Sequence, residues 1–132
     1  MNIELLTKET DPNPLILGGK GANLVKLLQI GCNIPDCIII PSDSSIATMG
    51  GVLRRLWQEY KYSYAAVRSS ATTEDSRAQS FAGMFSTYLY VTEENLIEKI
   101  QQCRDSAKLP RVTEYLKQNQ IPSEKVQMAV LV

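Results

Sequence analysis

The chain contains no histidine, and its fourteen lysines and arginines are balanced by fourteen acidic residues, so it has no formal net charge at neutral pH. Without net positive charge there is no bulk electrostatic footprint for nucleic acid or an anionic membrane, although a small local basic site remains open. No apolar run approaches the roughly 20 residues needed to cross a bilayer. Residues 1–4 carry no basic leader followed by an apolar core, so no signal peptide is read. Cysteine is scarce and odd in number: Cys32, Cys37 and Cys103 have no histidine to complete a metal set. Reduced, mostly buried thiols in a cytoplasmic protein are the expectation.

What is present fits one ordinary domain. At 132 residues the chain can build its own core, and 44% hydrophobic with 21% charged residues is the balance of a soluble globular protein. Strand-like and helix-like segments alternate. Residues 3–6 read as a short strand or lead-in, followed by the turn-forming Thr10-Asp11-Pro12-Asn13-Pro14. A helix is predicted over residues 22–30, with Leu24, Leu27 and Leu28 on one face and Gly31 as its stop. Cys37-Ile38-Ile39-Ile40 reads as a buried strand closed by Pro41. Ser42, Asp43 and Ser44 are candidate caps for a second helix carrying Met49, Leu53, Leu56 and Tyr60.

Residues 64–68 read as the next strand. Residues 85–91 alternate, placing Phe85, Thr87, Leu89 and Val91 on one face and Ser86, Tyr88 and Tyr90 on the other. Thr92 is a candidate cap for a helix with Leu96, Ile97, Ile100 and Cys103, and Pro110 suits the first turn of another with Val112, Tyr115 and Leu116 inward. Residues 126–132 form a final apolar strand. The class is therefore α/β, with α+β as the alternative: a mixed sheet flanked by helices. Leu24, Leu27, Leu28, Ile39, Val67, Leu89, Ile97 and Val130 are the expected core. A chain ending inside an apolar strand predicts a piece of something longer, and an open strand edge predicts a homodimer or a concentration-dependent oligomer, with the last strand or the half-site face in the contact.

Two motifs carry chemistry. Gly18-Gly19-Lys20-Gly21-Ala22-Asn23 precedes an amphipathic helix, so backbone, helix N-terminus and Lys20 could meet an anion. It is not a Walker A loop, because no Ser or Thr follows the lysine. The bland alternative is a tight turn with an exposed lysine. The second motif is Ala66-Val67-Arg68-Ser69-Ser70-Ala71-Thr72-Thr73-Glu74-Asp75 followed by Ser80-Phe81-Ala82-Gly83. Arg68 stands where a strand gives way to a hydroxyl-rich loop. Its partner is either a phosphate, which a guanidinium grips with a fork, or the local carboxylates of Glu74 and Asp75. Trp57, Tyr60, Tyr62 and Tyr64 read as core and rim residues rather than a base-stacking platform.

In this order the motifs resemble the N-terminal nucleotide-binding region of the phosphoenolpyruvate synthase and pyruvate phosphate dikinase family, which includes the rifampicin phosphotransferases. The matching pieces are Leu17-Gly18-Gly19-Lys20-Gly21-Ala22-Asn23-Leu24, Gly31 with Ile34-Pro35 and Ile38-Ile39, the Arg68 block, Ser80-Phe81-Ala82-Gly83, and Thr87-Tyr88-Leu89. The resemblance implies that residues 1–132 are a single partial domain, the first lobe of an ATP-grasp fold. It implies ATP held between this lobe and a second one, with magnesium assisting phosphoryl transfer to a histidine on a further domain. By resemblance, Lys20 and Arg68 hold ATP phosphates, and Gly83 and Thr87 belong to the loop closing over them. The second lobe with its magnesium ligands and the carrier histidine are not in this sequence, so the chain alone is expected to be inactive. The segment 42–64 is also shorter than the family usually has. A non-catalytic interaction or regulatory module, or a half site completed in trans, are the alternatives.

Overall fold

The computed structural model describes residues 2–72, 86–122 and 126–132. Their elements run β1 (Glu4–Leu5), α1 (Pro14–Gln29), β2 (Ile38–Ile40), α2 (Met49–Glu59), β3 (Ala65–Ala71), β4 (Thr87–Val91), α3 (Leu96–Asp105), α4 (Pro110–Gln118) and β5 (Met128–Leu131). The strands form one sheet in the order β1-β2-β5-β3-β4. The sheet flanked by helices is the architecture the sequence predicts. Every pairing among the described strands is antiparallel, which selects the α+β form of that expectation.

The sheet divides the apolar residues into two layers. Ile38, Ile40, Val67, Val130 and Val132 pack on one face against α2 and α3, through Met49, Leu53, Leu56, Trp57, Leu96, Ile100 and Cys103. Ile39, Ala129 and Leu131 pack on the other face against Leu17 and Val25 of α1. The run Ile38-Ile39-Ile40 has no polar alternation because both faces of β2 are covered, and all three side chains are fully buried. A third, smaller cluster joins Val112 and Leu116 of α4 to Tyr115, Ile121 and Val126.

The last strand is the largest departure from expectation. β5 lies in the middle of the sheet, paired with β2 on one side and β3 on the other. Its four residues are buried. The open edge that would pair two copies does not exist there; the edges belong to β1 and β4. A sequence pattern identifies a strand but not its position, and an apolar run serves a central strand better than an edge.

Local departures have local causes. Helix α1 begins at Pro14, eight residues before the expected start, with the Asn13 side chain capping it through the Leu15 N–H. It kinks at Gly18, whose φ of 70° and ψ of 174° are not helical. Strand β3 runs on through Ala71, so Ser69 and Ser70 are strand residues, not loop. Helix α2 starts after a short 3-10 turn, and the hydroxyl of its cap residue Thr48 donates back to the Ser45 carbonyl at 3.1 Å instead of accepting a helix N–H. At α3 the side chain of Asn95, not Thr92, organises the start by accepting the Thr92 N–H at 2.9 Å.

The predicted core holds for Ile39, Val67 and Val130, which are buried. Leu24, Leu28 and Ile97 are half-buried, whereas Leu27 and Leu89 are exposed. Leu89 comes out because it alternates onto the open face with Thr87, while Tyr88, opposite Val67, takes the α3 face; beyond it the ladder slips. Val67 pairs with Tyr88 and Ala65 with Val91, so three steps of β4 oppose two of β3. Tyr90 absorbs the extra residue at φ 55°. This β-bulge returns Val91 to the α3 face with Tyr88 and breaks the expected alternation.

A Cβ built on Gly18 would lie 2.0 Å from the Ser70 carbonyl oxygen, and its positive φ disfavours any side chain. Gly51 sits inside α2 facing open space. Gly18→Ala is expected to destabilise by about 2 kcal/mol or more, and Gly51→Ala to stabilise by about 0.5–1 kcal/mol. Urea denaturation of both variants checks the opposite signs.

Candidate functional site

The two sequence motifs meet across the fold. The kink at Gly18 lets α1 descend onto β3, where the Gly21 N–H donates to Ser70 Oγ at 3.1 Å. Gly18, Gly19 and Gly21 are buried in this contact. Gly18 therefore serves the approach of helix to strand, a use the sequence did not distinguish from approach to a ligand. One residue away, Lys20 Nζ donates to the Ser69 carbonyl oxygen at 3.0 Å. Its half-buried stem is tied down at its charged end, so Lys20 is neither a wandering surface lysine nor part of an exposed turn.

Lys20 and Arg68 line one cavity of about 710 Å³. Helix α1 contributes Lys20, Asn23 and Leu24; Pro35, Asp36 and Cys37 form the approach to β2. Tyr62, Tyr64, Ala65, Ala66 and Arg68 supply the β3 wall, and Leu131 and Val132 the floor from β5. The lining is mainly apolar with two cations and one carboxylate, in the size range of small-molecule sites. Arg68 is exposed, and among the described residues no carboxylate pairs with its guanidinium. Glu74 and Asp75, its alternative local partners, lie outside the described residues.

Thr87 of β4 stands directly opposite Arg68 in the antiparallel register, so both side chains rise from the same face of the sheet. Thr87 is exposed and is not among the cavity's walls. Gly83 lies outside the described residues. The structure thus brings Lys20, Arg68 and Thr87 to one side of the sheet, with the first two in one cavity. Asp36, Cys37, Tyr62 and Tyr64 complete its walls and were not read as site residues. Cys37 and Tyr62 are apolar-looking neighbours of strands, and only the insertion of β5 between β2 and β3 carries them to the cavity.

Burial sets the thiol chemistry. Desolvation pushes Cys37 from 9.0 up to about 12, opposed by its bond to the Val132 backbone and by the charge of Arg68. Cys103, behind β3 on the opposite face and within 3.7 Å of the Val67 carbonyl, is likewise pushed by burial to about 12, with Lys20 opposing. Both are neutral thiols near pH 7, whereas Cys32 is exposed. Among the described residues no group of three or more His, Cys, Asp or Glu could hold a metal ion. Nor is any described helix long and apolar enough to cross a membrane.

Residues 45–132 match the family described as pyruvate phosphate dikinase, AMP/ATP-binding domain. The chain belongs to this family. Similarity to individual proteins reaches further toward the N-terminus. The chain is 31% identical to an uncharacterized phosphotransferase of Bacillus subtilis, YvkC, over 147 aligned positions that take in 89% of this chain and 18% of that protein. It is 45% identical over 76 residues to a probable phosphoenolpyruvate synthase of Archaeoglobus fulgidus, covering 57% of this chain and 10% of the relative. With a rifampicin phosphotransferase of Streptomyces sviceus the identity is 36% over 96 residues, 72% of this chain and 11% of that protein. The chain therefore spans less than a fifth of the length of these relatives. The Bacillus alignment is longer than the chain itself, so that relative carries extra residues within the matched region.

Two outcomes test this arrangement. In the folded chain a mild thiol reagent should modify Cys32 rapidly, with Cys37 and Cys103 reacting only on unfolding. Stability should fall as pH rises above about 9. There the unfolded thiols lose protons that the native ones keep, so the unfolded state binds fewer protons. Denaturation midpoints between pH 8 and 11 should show that slope, reduced in Cys37→Ala and Cys103→Ala.

Proposed function

We propose that this chain is the first lobe of an ATP-grasp phosphotransferase of the phosphoenolpyruvate synthase type, and that Lys20 and Arg68 hold the phosphates of ATP. The observation that carries the proposal is their convergence on one cavity despite a separation of 48 positions in the chain. Phosphoryl transfer asks a protein mainly for positioning and charge neutralisation. An arginine supplies a planar fork and a lysine a point charge, and the two together grip a polyphosphate at two places. The apolar walls formed by Ala65, Ala66, Leu131 and Val132 suit the less polar part of a nucleotide. In this reading Thr87 and Gly83 belong to the segment closing over the phosphates, and Thr87 already stands beside Arg68 across the ladder.

Magnesium would supply further neutralisation of the triphosphate. The described residues do not fit a magnesium centre, and its protein ligands would belong to a second lobe. With no histidine in the sequence, the chain has no residue to carry a phosphoryl group in the way the family resemblance implies, so we expect no transfer by the chain alone. Three free thiols suit a reducing compartment, and the cytoplasm is the proposed location. A half site completed in trans by a second lobe is the alternative that the open face of β3 and β4 favours; mixing the chain with such a lobe and assaying ATP turnover separates the two.

A single lobe encloses little of its ligand, so ATP should bind with a Kd on the order of 1 mM. Arg68→Ala and Lys20→Met are each expected to weaken binding about tenfold, equivalent to ~1.4 kcal/mol, as followed by NMR titration. Unchanged affinity in both variants would reject the phosphate roles, and micromolar affinity for the lone chain would reject the half-site picture.

A further inference from the structure

Helix α1 covers only part of its face of the sheet. Toward β4 that face is open and carries Tyr64, Ala66 and Arg68 from β3 and its lead-in, with Thr87 opposite Arg68. Tyr64 is 65% exposed and lines the same cavity as Lys20 and Arg68. Tyr90 is 80% exposed, and its ring meets that of Tyr64 edge-on at 6.3 Å. Two large rings left in water at a cavity mouth call for an explanation that core packing does not provide.

The backbone of β4 supplies a second observation. Three residues other than glycine have left-handed φ among the described ones: Lys61, Tyr90 and Gln120. Lys61 and Gln120 lie just past the ends of α2 and α4, where that conformation is ordinary. Tyr90 alone lies within a strand. Simple alternation would have sent Tyr90 to the buried α3 face with Tyr88. The bulge turns it instead to the cavity side, against Tyr64. Bulges re-aim side chains in this way beside functional sites, and strained residues persist where the surroundings hold them.

The geometry points to Tyr64 and Tyr90 as a stacking subsite for the nucleobase of the nucleotide whose phosphates Lys20 and Arg68 hold. This inference rests on the phosphate-binding reading above. Four residues of extended chain separate Tyr64 from Arg68, about 13 Å along β3. An extended nucleoside triphosphate runs from phosphates to base over a similar length. The occupant is a nucleotide rather than a simple apolar ligand because the aromatic end and the cationic end share one cavity. Edge-on rings also leave one aromatic face open for a further ring to stack. Stacking on tyrosine reads ring faces, which every base has, so the subsite is tolerant and favours purines for their larger area.

The test compares ATP, GTP, UTP and inorganic triphosphate on the full chain by NMR titration, with Tyr64→Ala, Tyr90→Asn and Tyr64→Phe. Asn tolerates the left-handed backbone at position 90, and position 64 is exposed, so the variants should fold; circular dichroism verifies this. ATP and GTP are expected to bind similarly, each several-fold tighter than UTP and about tenfold tighter than triphosphate. Tyr64→Ala and Tyr90→Asn should bring ATP down to the triphosphate value without changing triphosphate binding, and Tyr64→Phe should retain the preference. Equal binding of ATP and triphosphate, or ATP binding indifferent to both tyrosine substitutions, overturns the stacking subsite while leaving the phosphate site standing. Absence of binding by triphosphate and ATP alike overturns both. Substitutions that change the sedimentation of the chain but not its nucleotide affinity would assign the tyrosines to contact between copies and also overturn the proposal.

Discussion

Helix α1 can reach strand β3 only because Gly18 presents bare backbone to it. The Ser70 carbonyl and hydroxyl occupy the space that a Cβ at Gly18 would need, and the Ser70 hydroxyl accepts the Gly21 N–H. Everything else at the site follows from this seat. It fixes the height of Lys20 above the sheet, lets its ammonium take the Ser69 carbonyl, and puts it across the cavity from Arg68. It also seals Ile39 and Leu131 beneath α1, so the same contact closes one half of the core. A motif that looks made for a ligand is thus first a packing device, and the cation is delivered by the packing.

The opposite face of the sheet is the rigid side. Val67, Val91 and Val130 are locked beneath Trp57, Leu96 and Ile100. Arg104 of α3 ties the chain after β2 to this layer by donating to the carbonyls of Pro41 and Ser44. Desolvation lowers its pKa, with the nearby Asp43 opposing, but the guanidinium remains a cation at any ordinary pH. The division of labour is physical: one face spends its apolar residues on stability, and the other leaves Arg68, Thr87, Leu89, Tyr64 and Tyr90 uncovered beside the cavity. A sheet face left bare next to a basic cavity is the form expected of one half of a two-sided site.

The lone chain meets the chemistry of its family only in part. Its cations and apolar walls suit nucleotide binding, and membership of the AMP/ATP-binding domain family agrees with them. Yet it spans less than a fifth of its relatives and contains no histidine.

The elements and the two motifs were legible in the chain before any contact was known. Isoleucines in a row, leucines at helical spacing and the Arg68 block identified strands, helices and the family, because those signals are local and repeat along the chain. The position of β5 was not legible: an apolar run is equally compatible with an edge or a centre until its partners are known. Burial of Leu27 and Leu89 was misread for related reasons. Helical spacing does not say how far a neighbouring element extends, and alternation along β4 does not say which of its two faces the core covers; only the bulge at Tyr90 returns Val91 to the buried side. Lys20 and Arg68 could be named as candidates from the chain, but their convergence on one cavity could not. It depends on a backbone contact between Gly18 and Ser70, 52 positions apart, which no local pattern encodes and only the closed tertiary structure decides.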